Sequence, residues 1–264
     1  MRAGLSVFNV VALVLGLTFL YLPLVVLVVY SFNGSDLVTF WGGWSTKWYV
    51  SLMGNQTYLN AAGTTLRIAL VSSLLSAVLG TMAAFALVRH ARFRGRGFLQ
   101  GATLAPLMMP EVVIGLSLLL AFVALGIGRG FGTIVIAHTT FGLCFVAITV
   151  RARLATFNIS LEEAALDLGA SPASAFFRVT LPGILPAVIS GWLLSFILSL
   201  DNLVVTSFAA GATTTTLPMA VFASLRKGLN PEINALSTIL LGIVATGTLI
   251  YYIISQRMAR RTPA

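Results

Sequence analysis

The stretch Ser160–Pro182, SLEEAALDLGASPASAFFRVTLP, decides how the rest of the chain is interpreted, because it is a short charged segment between long apolar ones. Its first residue can cap a helix in which leucines and alanines recur at helical spacing on one face. Gly169 suits a helix C-terminus that requires a positive φ. Ser171 and Pro172 predict a second N-cap and first helical residue, and the final proline is expected to stop this second helix. The stretch therefore predicts a helix-turn-helix hairpin outside the membrane.

The composition is that of an integral membrane protein. Of the 264 residues, 58% are hydrophobic and 9% are charged, whereas charged residues usually make up about a quarter of a soluble domain. The formal net charge of +9 could suggest nucleic-acid binding, but the basic residues lie in short segments between apolar runs. We therefore expect no nucleic-acid partner, and we interpret the positive charge as a mark of cytoplasmic loops.

Sequence motifs of the common enzyme classes are absent. Neither lysine follows a glycine, so the chain has no GxxxxGK[ST] phosphate-binding loop, and HExxH and GxSxG do not occur. The two histidines and the single cysteine, Cys144, are too few for a metal cluster or an intrachain disulfide. We expect a chain that is not an enzyme and that has no cofactor of its own.

Six apolar segments are long enough to cross a hydrocarbon layer about 30 Å thick. They predict an all-α bundle of transmembrane helices with no sizeable soluble domain. The first segment is too long for a signal-peptide core and lacks a clear cleavage site, so we expect it to be retained. The second, fifth and sixth are rich in small residues, which favours close helix packing in lipid. The predicted spans are residues 10–30, 64–88, 102–125, 133–150, 183–210 and 233–254.

The distribution of lysine and arginine predicts the orientation of the chain. Six spans place both termini on one side of the membrane, and cytoplasmic loops carry an excess of positive charge. With the termini inside, the inner segments hold 11 of the 16 basic residues. We therefore expect both termini and the hairpin in the cytoplasm. The basic residues left outside are Lys47, Arg67, Arg129, Arg226 and Lys227.

The hairpin follows the pattern E-A-A-x3-G-x9-[IV]-x-L-P, from Glu163 to Pro182. This pattern resembles the EAA loop of ABC-importer permeases, the hairpin that docks on the ATPase subunit and passes its movement to the membrane helices. Alanines allow close approach, the glycine permits a sharp break, and Glu163 offers a charge to the partner. The resemblance implies an ATPase-coupling role for Glu162, Glu163, Ala164, Ala165, Asp167, Gly169, Leu181 and Pro182.

An amphipathic helix on the inner leaflet is the alternative interpretation of this hairpin. Such a helix has a cationic face and bulky apolar anchors. The first predicted helix instead carries Glu162, Glu163 and Asp167, which anionic lipid would repel.

Four further blocks of sequence extend the resemblance. They are FLYLPLVVLVVYSFN at Phe19–Asn33, LAPLMMPEVVIGLSLLL at Leu104–Leu120, SGWLLSFILSLDNLVVTSF at Ser190–Phe208 and TTLPMAVFASLRKGLNPEINALSTI at Thr215–Ile239. They resemble the permeases of bacterial polyamine importers, the putrescine and spermidine class. The resemblance implies one permease domain over residues 1–264 in the bacterial inner membrane, forming half of a translocation pathway. Its implied partners are a second, similar permease, two ATPase subunits that bind the ATP, and a periplasmic substrate-binding protein.

Two acidic residues, Glu111 and Asp201, lie inside predicted spans. An unpaired charge at the centre of a span costs about 2.5–3.5 kcal/mol on insertion scales, so each needs water, a partner or protonation. Pro110 is expected to loosen the helix before Glu111. Permeases that resemble this chain often have a second acid after the first, whereas here Asn202 follows Asp201. These three side chains are candidates for a pathway that conducts an organic cation, and structural pairing within the bundle is the alternative.

Other functions remain open from the sequence. A permease of the same class could carry an amino acid, sulfate or an iron chelate. A secondary transporter could use Glu111 and Asp201 with an ion gradient, but it would not need the hairpin. A membrane-embedded hydrolase would need a nucleophile and base that the sequence does not offer.

Overall fold

The computed structural model describes residues 6–90, 92–228 and 231–259, and the regular structure of these residues is helical apart from one isolated bridge between Asn33 and Trp44. The predicted all-α class is confirmed. The helices are α1 (Val7–Tyr30), α2 (Lys47–Gly54), α3 (Gln56–Arg89), α4 (Arg96–Met108), α5 (Glu111–Ala124), α6 (Phe131–Thr156), α7 (Ser160–Asp167), α8 (Pro172–Ala175), a π-helical turn (Phe176–Thr180), α9 (Leu181–Leu200), α10 (Val204–Ala209), α11 (Leu217–Lys227) and α12 (Pro231–Ala259).

Four helices among the described residues are long and apolar enough to cross a bilayer. They are α1, α3, α6 and the continuous helix Pro172–Leu200. The apolar helix α5 and the stretch Pro231–Thr246 are shorter. Six crossings within a single domain over residues 1–264 remain a prediction.

The segment 102–125, predicted as one helix, consists of two. α4 ends at Met108, and α5 begins at Glu111. Met109 has an extended backbone, with ψ 143°, because the ring of Pro110 disfavours the α conformation in the residue before it. Pro110 therefore ends a helix, where the sequence predicted a loosened one.

The segment 183–210 is also divided. α9 ends at Leu200, and α10 begins at Val204 after three residues outside the helices. α9 has no break at its N-terminal side, because the helix runs without interruption from Pro172. The predicted boundary at residue 183 is therefore displaced into the hairpin.

The chain divides into two compact units, formed by residues 60–220 and by residues 1–59 with 221–264. In the first of these, α6 packs chiefly against α9. Glycines allow the helices to approach closely: a Cβ added at Gly80 of α3 would lie 2.7 Å from the carbonyl oxygen of Leu143 in α6. Gly191 of α9 likewise faces Val146 of α6. The packing through small residues that the sequence predicted is present in α3 and α9.

The other unit joins α12 to α1 and α2. At the start of α12, the buried carboxylate of Glu232 accepts hydrogen bonds from Ser51 Oγ at 3.0 Å and Asn55 Nδ2 at 3.2 Å. Asn33 organises the loop after α1, because its side chain bonds the backbone of Phe40 and Gly42.

Candidate functional site

The hairpin begins with α7, and its turn closes as the sequence predicts. Gly169 has φ +86°, and its N–H donates to Leu166 O while Ala170 N–H donates to Ala165 O. This pair of bonds is the Schellman arrangement, which requires a left-handed residue at the glycine position. The cap at the other end of α7 differs from the prediction: Asn158 Oδ1 accepts the N–H of Ser160, which is already helical.

The second half of the hairpin is continuous with a membrane helix. Ser171 Oγ accepts the N–H of Ser174 and Pro172 is the first helical residue, so the predicted N-cap is confirmed. The prediction that Pro182 stops this helix is wrong. The π-helical turn precedes the proline, and it contains Arg178, whose carbonyl a proline four residues later would crowd in an α-helix. The wider turn therefore carries the helix from α8 into α9.

The outer face of α7 combines acidic and apolar side chains. Leu168 is 90% exposed, and Glu163 and Ala164 are also exposed. Such a face suits a protein partner with basic groups better than an anionic lipid surface. The exposed residues of α7 and its turn are Ser160, Leu161, Glu163, Ala164, Leu166, Asp167, Leu168 and Gly169.

Three residues of the predicted coupling set, Glu162, Ala165 and Leu181, are partly buried. Ala165 is half-buried, and Leu181 packs against the buried cluster that includes Val150 and Ile184. Glu162 accepts two bonds from Arg89 at the end of α3, from Nη2 at 2.7 Å and from Nε at 3.2 Å. The predicted coupling residues therefore differ in their surroundings: some are exposed to a partner, and others pack within the chain.

Asp201 and Asn202 occupy the break between α9 and α10. The Asp201 side chain is exposed at the C-terminus of α9. Asn202 is 9% exposed, and its Oδ1 accepts the N–H groups of Val205 at 3.0 Å and Thr206 at 3.3 Å. The amide of Asn202 therefore fixes the start of α10. Asp201 is the exposed acidic side chain of the break.

His138 of α6 binds both sides of this break, and the sequence analysis gave it no role. Its Nδ1 lies 2.6 Å from Ser199 Oγ and its Nε2 lies 2.8 Å from Thr206 Oγ1. The Thr206 hydroxyl donates to the Asn202 carbonyl at 2.6 Å, so Nε2 donates to Thr206. The sequence did contain a signal for this role, because His138 is a polar residue within a predicted span and such residues need a partner.

Glu111 is the first residue of α5, at the second break. Its side chain is half-buried, and a carboxylate at a helix N-terminus is stabilised by the helix dipole. α5 packs against α10, where Phe208 fills the space beside Gly115. Within the described part of the chain, no hydrogen bond joins Glu111 to Asp201. The two acids therefore lie at two helix breaks and are not joined by a hydrogen bond.

The comparison with protein families identifies the class. The family described as "Binding-protein-dependent transport system inner membrane component" matches residues 76–262, and the chain belongs to this family. The predicted ABC-importer permease is therefore confirmed, as an inner-membrane transport subunit.

Curated relatives and solved structures agree with this assignment. "Putrescine transport system permease protein PotI" of Escherichia coli K12 is 51% identical over 97% of this chain and 94% of its own length. "Spermidine/putrescine transport system permease protein PotC" of the same strain is 42% identical over 92% and 90%. A chain of a bacterial ABC transporter that imports alginate covers 95% of both chains with a TM-score of 0.72 and 17% identity. The MetNI methionine ABC transporter matches 78% of this chain and 96% of its own, with a TM-score of 0.58 and 17% identity. The predicted resemblance to polyamine permeases is confirmed, and the fold is that of ABC importers.

Proposed function

We propose that this chain forms half of the translocation pathway of an ATP-driven importer for polyamines, putrescine or spermidine. The observation that carries the proposal is the 51% identity to PotI over 97% of the chain, supported by 42% identity to PotC. The chain itself makes and breaks no covalent bond. Its helix bundle adopts two conformations that differ little in free energy, and binding of the partners shifts the equilibrium between them.

The proposed partners are two ATPase subunits, a second, similar permease and a periplasmic substrate-binding protein. ATP binds to the ATPase subunits, so the permease needs no cofactor. α7 docks in the ATPase through Glu163 and the exposed alanine and leucine face. Continuity of α8 with α9 supports this coupling, because a displaced hairpin moves the membrane helix without a flexible joint.

Both termini and the hairpin lie in the cytoplasm in this proposal. The 11 basic residues assigned to the inner segments support it. Arg2, Arg260 and Arg261, which contribute to that set, lie outside the described residues.

The proposed substrate pathway passes the two helix breaks. Non-helical backbone at membrane depth is tolerated where it is buried in protein or lines a water-filled cavity, and broken helices form the binding sites of many transporters. Asp201 is exposed at the C-terminus of α9, where free backbone carbonyls add negative potential. Asp201 and Glu111 contact the amine, and Asn202 holds the geometry of the break.

Uptake by the reconstituted complex tests the proposal. Labelled putrescine and spermidine are supplied with the binding protein outside vesicles that contain ATP, with and without a protonophore. Accumulation that requires ATP and ignores the protonophore is expected. ATP-dependent uptake of an amino acid, sulfate or an iron chelate instead would reject the polyamine assignment, and uptake that follows the proton gradient would indicate a secondary transporter.

Asp201→Asn is expected to reduce polyamine flux by about tenfold, the effect of losing about 1.4 kcal/mol of charge-assisted interaction with the amine. The amount of ATPase subunit that co-purifies should stay at the wild-type level, because Asp201 follows the end of α9 that is opposite the hairpin. Asp36→Asn, which removes an exposed acid outside the spans, is the control. Unchanged flux in Asp201→Asn would assign the residue to packing.

A further inference from the structure

The two adjacent glutamates of α7 have different surroundings. Glu163 is exposed, whereas the Glu162 side chain is 14% exposed and its partner Arg89 is 13% exposed. We infer that Glu162 and Arg89 are positioning residues whose ion pair fastens the hairpin to α3, so that hairpin movement reaches α3 as well as α9. The inference rests on the proposed coupling function, and it assigns ATPase docking to Glu163 and force transmission to Glu162.

The geometry of the ion pair is suited to transmit force. Arg89 Nη2 and Nε both donate to Oε1 of Glu162, at 2.7 and 3.2 Å. Two charge-assisted bonds from one planar guanidinium fix orientation as well as distance. The guanidinium also lies over the ring of Phe157, 5.9 Å from its centroid, at the end of α6. Arg89 therefore contacts the hairpin and the segment that leads into it.

The side chains that surround the ion pair are mainly apolar. A groove of about 660 Å³ borders Arg89 and Glu162 and is lined mainly by apolar side chains. Phe85 of α3 stacks edge-on against Phe176 of the π-helical turn, with ring centroids 5.0 Å apart. This edge-to-face contact has a preferred geometry, but it contains no charge-assisted hydrogen bond. The ion pair supplies the directional bond between α3 and the hairpin.

The connectivity of the chain explains why such a bond is needed. α8 continues into α9, so α9 follows the hairpin through its backbone. α3 ends at Arg89, 73 residues before Glu162, and can follow the hairpin only through side-chain contacts.

The test is a double-mutant cycle in the reconstituted complex. Glu162→Gln removes a charge with little change in size, Arg89→Gln removes the guanidinium and its charge, and the double variant combines both changes. Glu163→Gln is the matched control on α7, and Arg92→Gln is the control for a lost positive charge near the end of α3, where Arg92 is exposed. The measurements are co-purified ATPase per permease and labelled putrescine taken up per ATP hydrolysed.

We expect Glu162→Gln and Arg89→Gln to retain wild-type ATPase association and to lose about tenfold in uptake per ATP. The double variant should be no worse than either single variant, because residues joined in one interaction are not additive. The charge exchange Arg89→Glu with Glu162→Arg should recover at least part of the coupling. Loss of ATPase from Glu162→Gln, wild-type uptake per ATP in both single variants, or additive losses in the double variant would each overturn the inference.

Hydrogen exchange of α7 provides a measurement that does not depend on the solute. Backbone amides of Leu161–Asp167 should exchange faster in Glu162→Gln and Arg89→Gln than in Glu163→Gln. Equal exchange in the three variants would overturn the inference whatever the transporter carries. Failure of the polyamine proposal is distinguishable, since it would appear in the wild-type protein as absence of putrescine uptake.

Discussion

Glu163→Lys is expected to reduce uptake below about a tenth of the wild-type rate and to leave the permease without its ATPase during purification. Glu163 lies in the first turn of α7, where a negative charge is favoured by the helix dipole and a positive charge is disfavoured, each by about 0.3–1 kcal/mol. The larger effect is expected at the proposed ATPase interface. If Glu163 docks against basic groups there, the introduced cation would face them, and like charges brought together cost several kcal/mol. Co-purified ATPase and ATP-dependent uptake are the measurements.

The controls separate docking from folding. Glu163→Gln keeps the size of the side chain and should give an intermediate loss, and Asp36→Lys makes the same charge reversal at an exposed acid outside the hairpin. Membrane insertion of Glu163→Lys should equal that of the wild type, since the residue is exposed. Normal ATPase association in Glu163→Lys would refute the docking role.

Gly80→Ala is expected to lower the stability of the bundle, because α3 and α6 approach each other closely at this glycine. The added Cβ would lie 2.7 Å from both the Leu143 carbonyl oxygen and Val146 Cβ, so the α6 backbone must move. Overpacking of this kind typically costs about 1–3 kcal/mol. Thermal unfolding of the purified chain in detergent should therefore show a lower Tm.

Gly63→Ala is the matched control in the same helix. A Cβ at Gly63 meets no atom within 4 Å, and alanine is favoured over glycine in a helix by about 0.5–1 kcal/mol. This variant should unfold at the wild-type Tm or above it. A Gly80→Ala protein as stable as Gly63→Ala would show that α3 and α6 do not depend on the close approach.

Local sequence signals predicted the hairpin well where the deciding contacts are near in the chain. The positive φ of Gly169 and the capping by Ser171 depend on residues within five positions, so the pattern could specify them. The effect of Pro182 could not be predicted in this way. Proline stops an α-helix but is accommodated after a π-helical turn, and that turn has no clear mark in the sequence.

The candidate pathway was predicted in part. The acids at Glu111 and Asp201 stand out because charges are rare in apolar spans, and Pro110 marks a break. The sequence did not predict that Asn202 caps α10 or that His138 holds the same break. The role of His138 depends on hydrogen bonds across 61 and 68 residues of chain, to Ser199 and to Thr206. The bonds of Asn202 are local, but they occur at a break inside a segment that the sequence predicted as one span.

The sequence by itself determined that this is an all-α membrane protein with a helical hairpin, because hydrophobic length and turn residues act locally. The resemblance of the hairpin to the EAA loop added the ABC-permease class. Only the tertiary structure decided which residues of the hairpin face outward. Glu162 and Glu163 are chemically identical neighbours, yet successive residues of a helix point about 100° apart. One therefore reaches Arg89 while the other remains exposed, and that difference depends on where α3 ends in space.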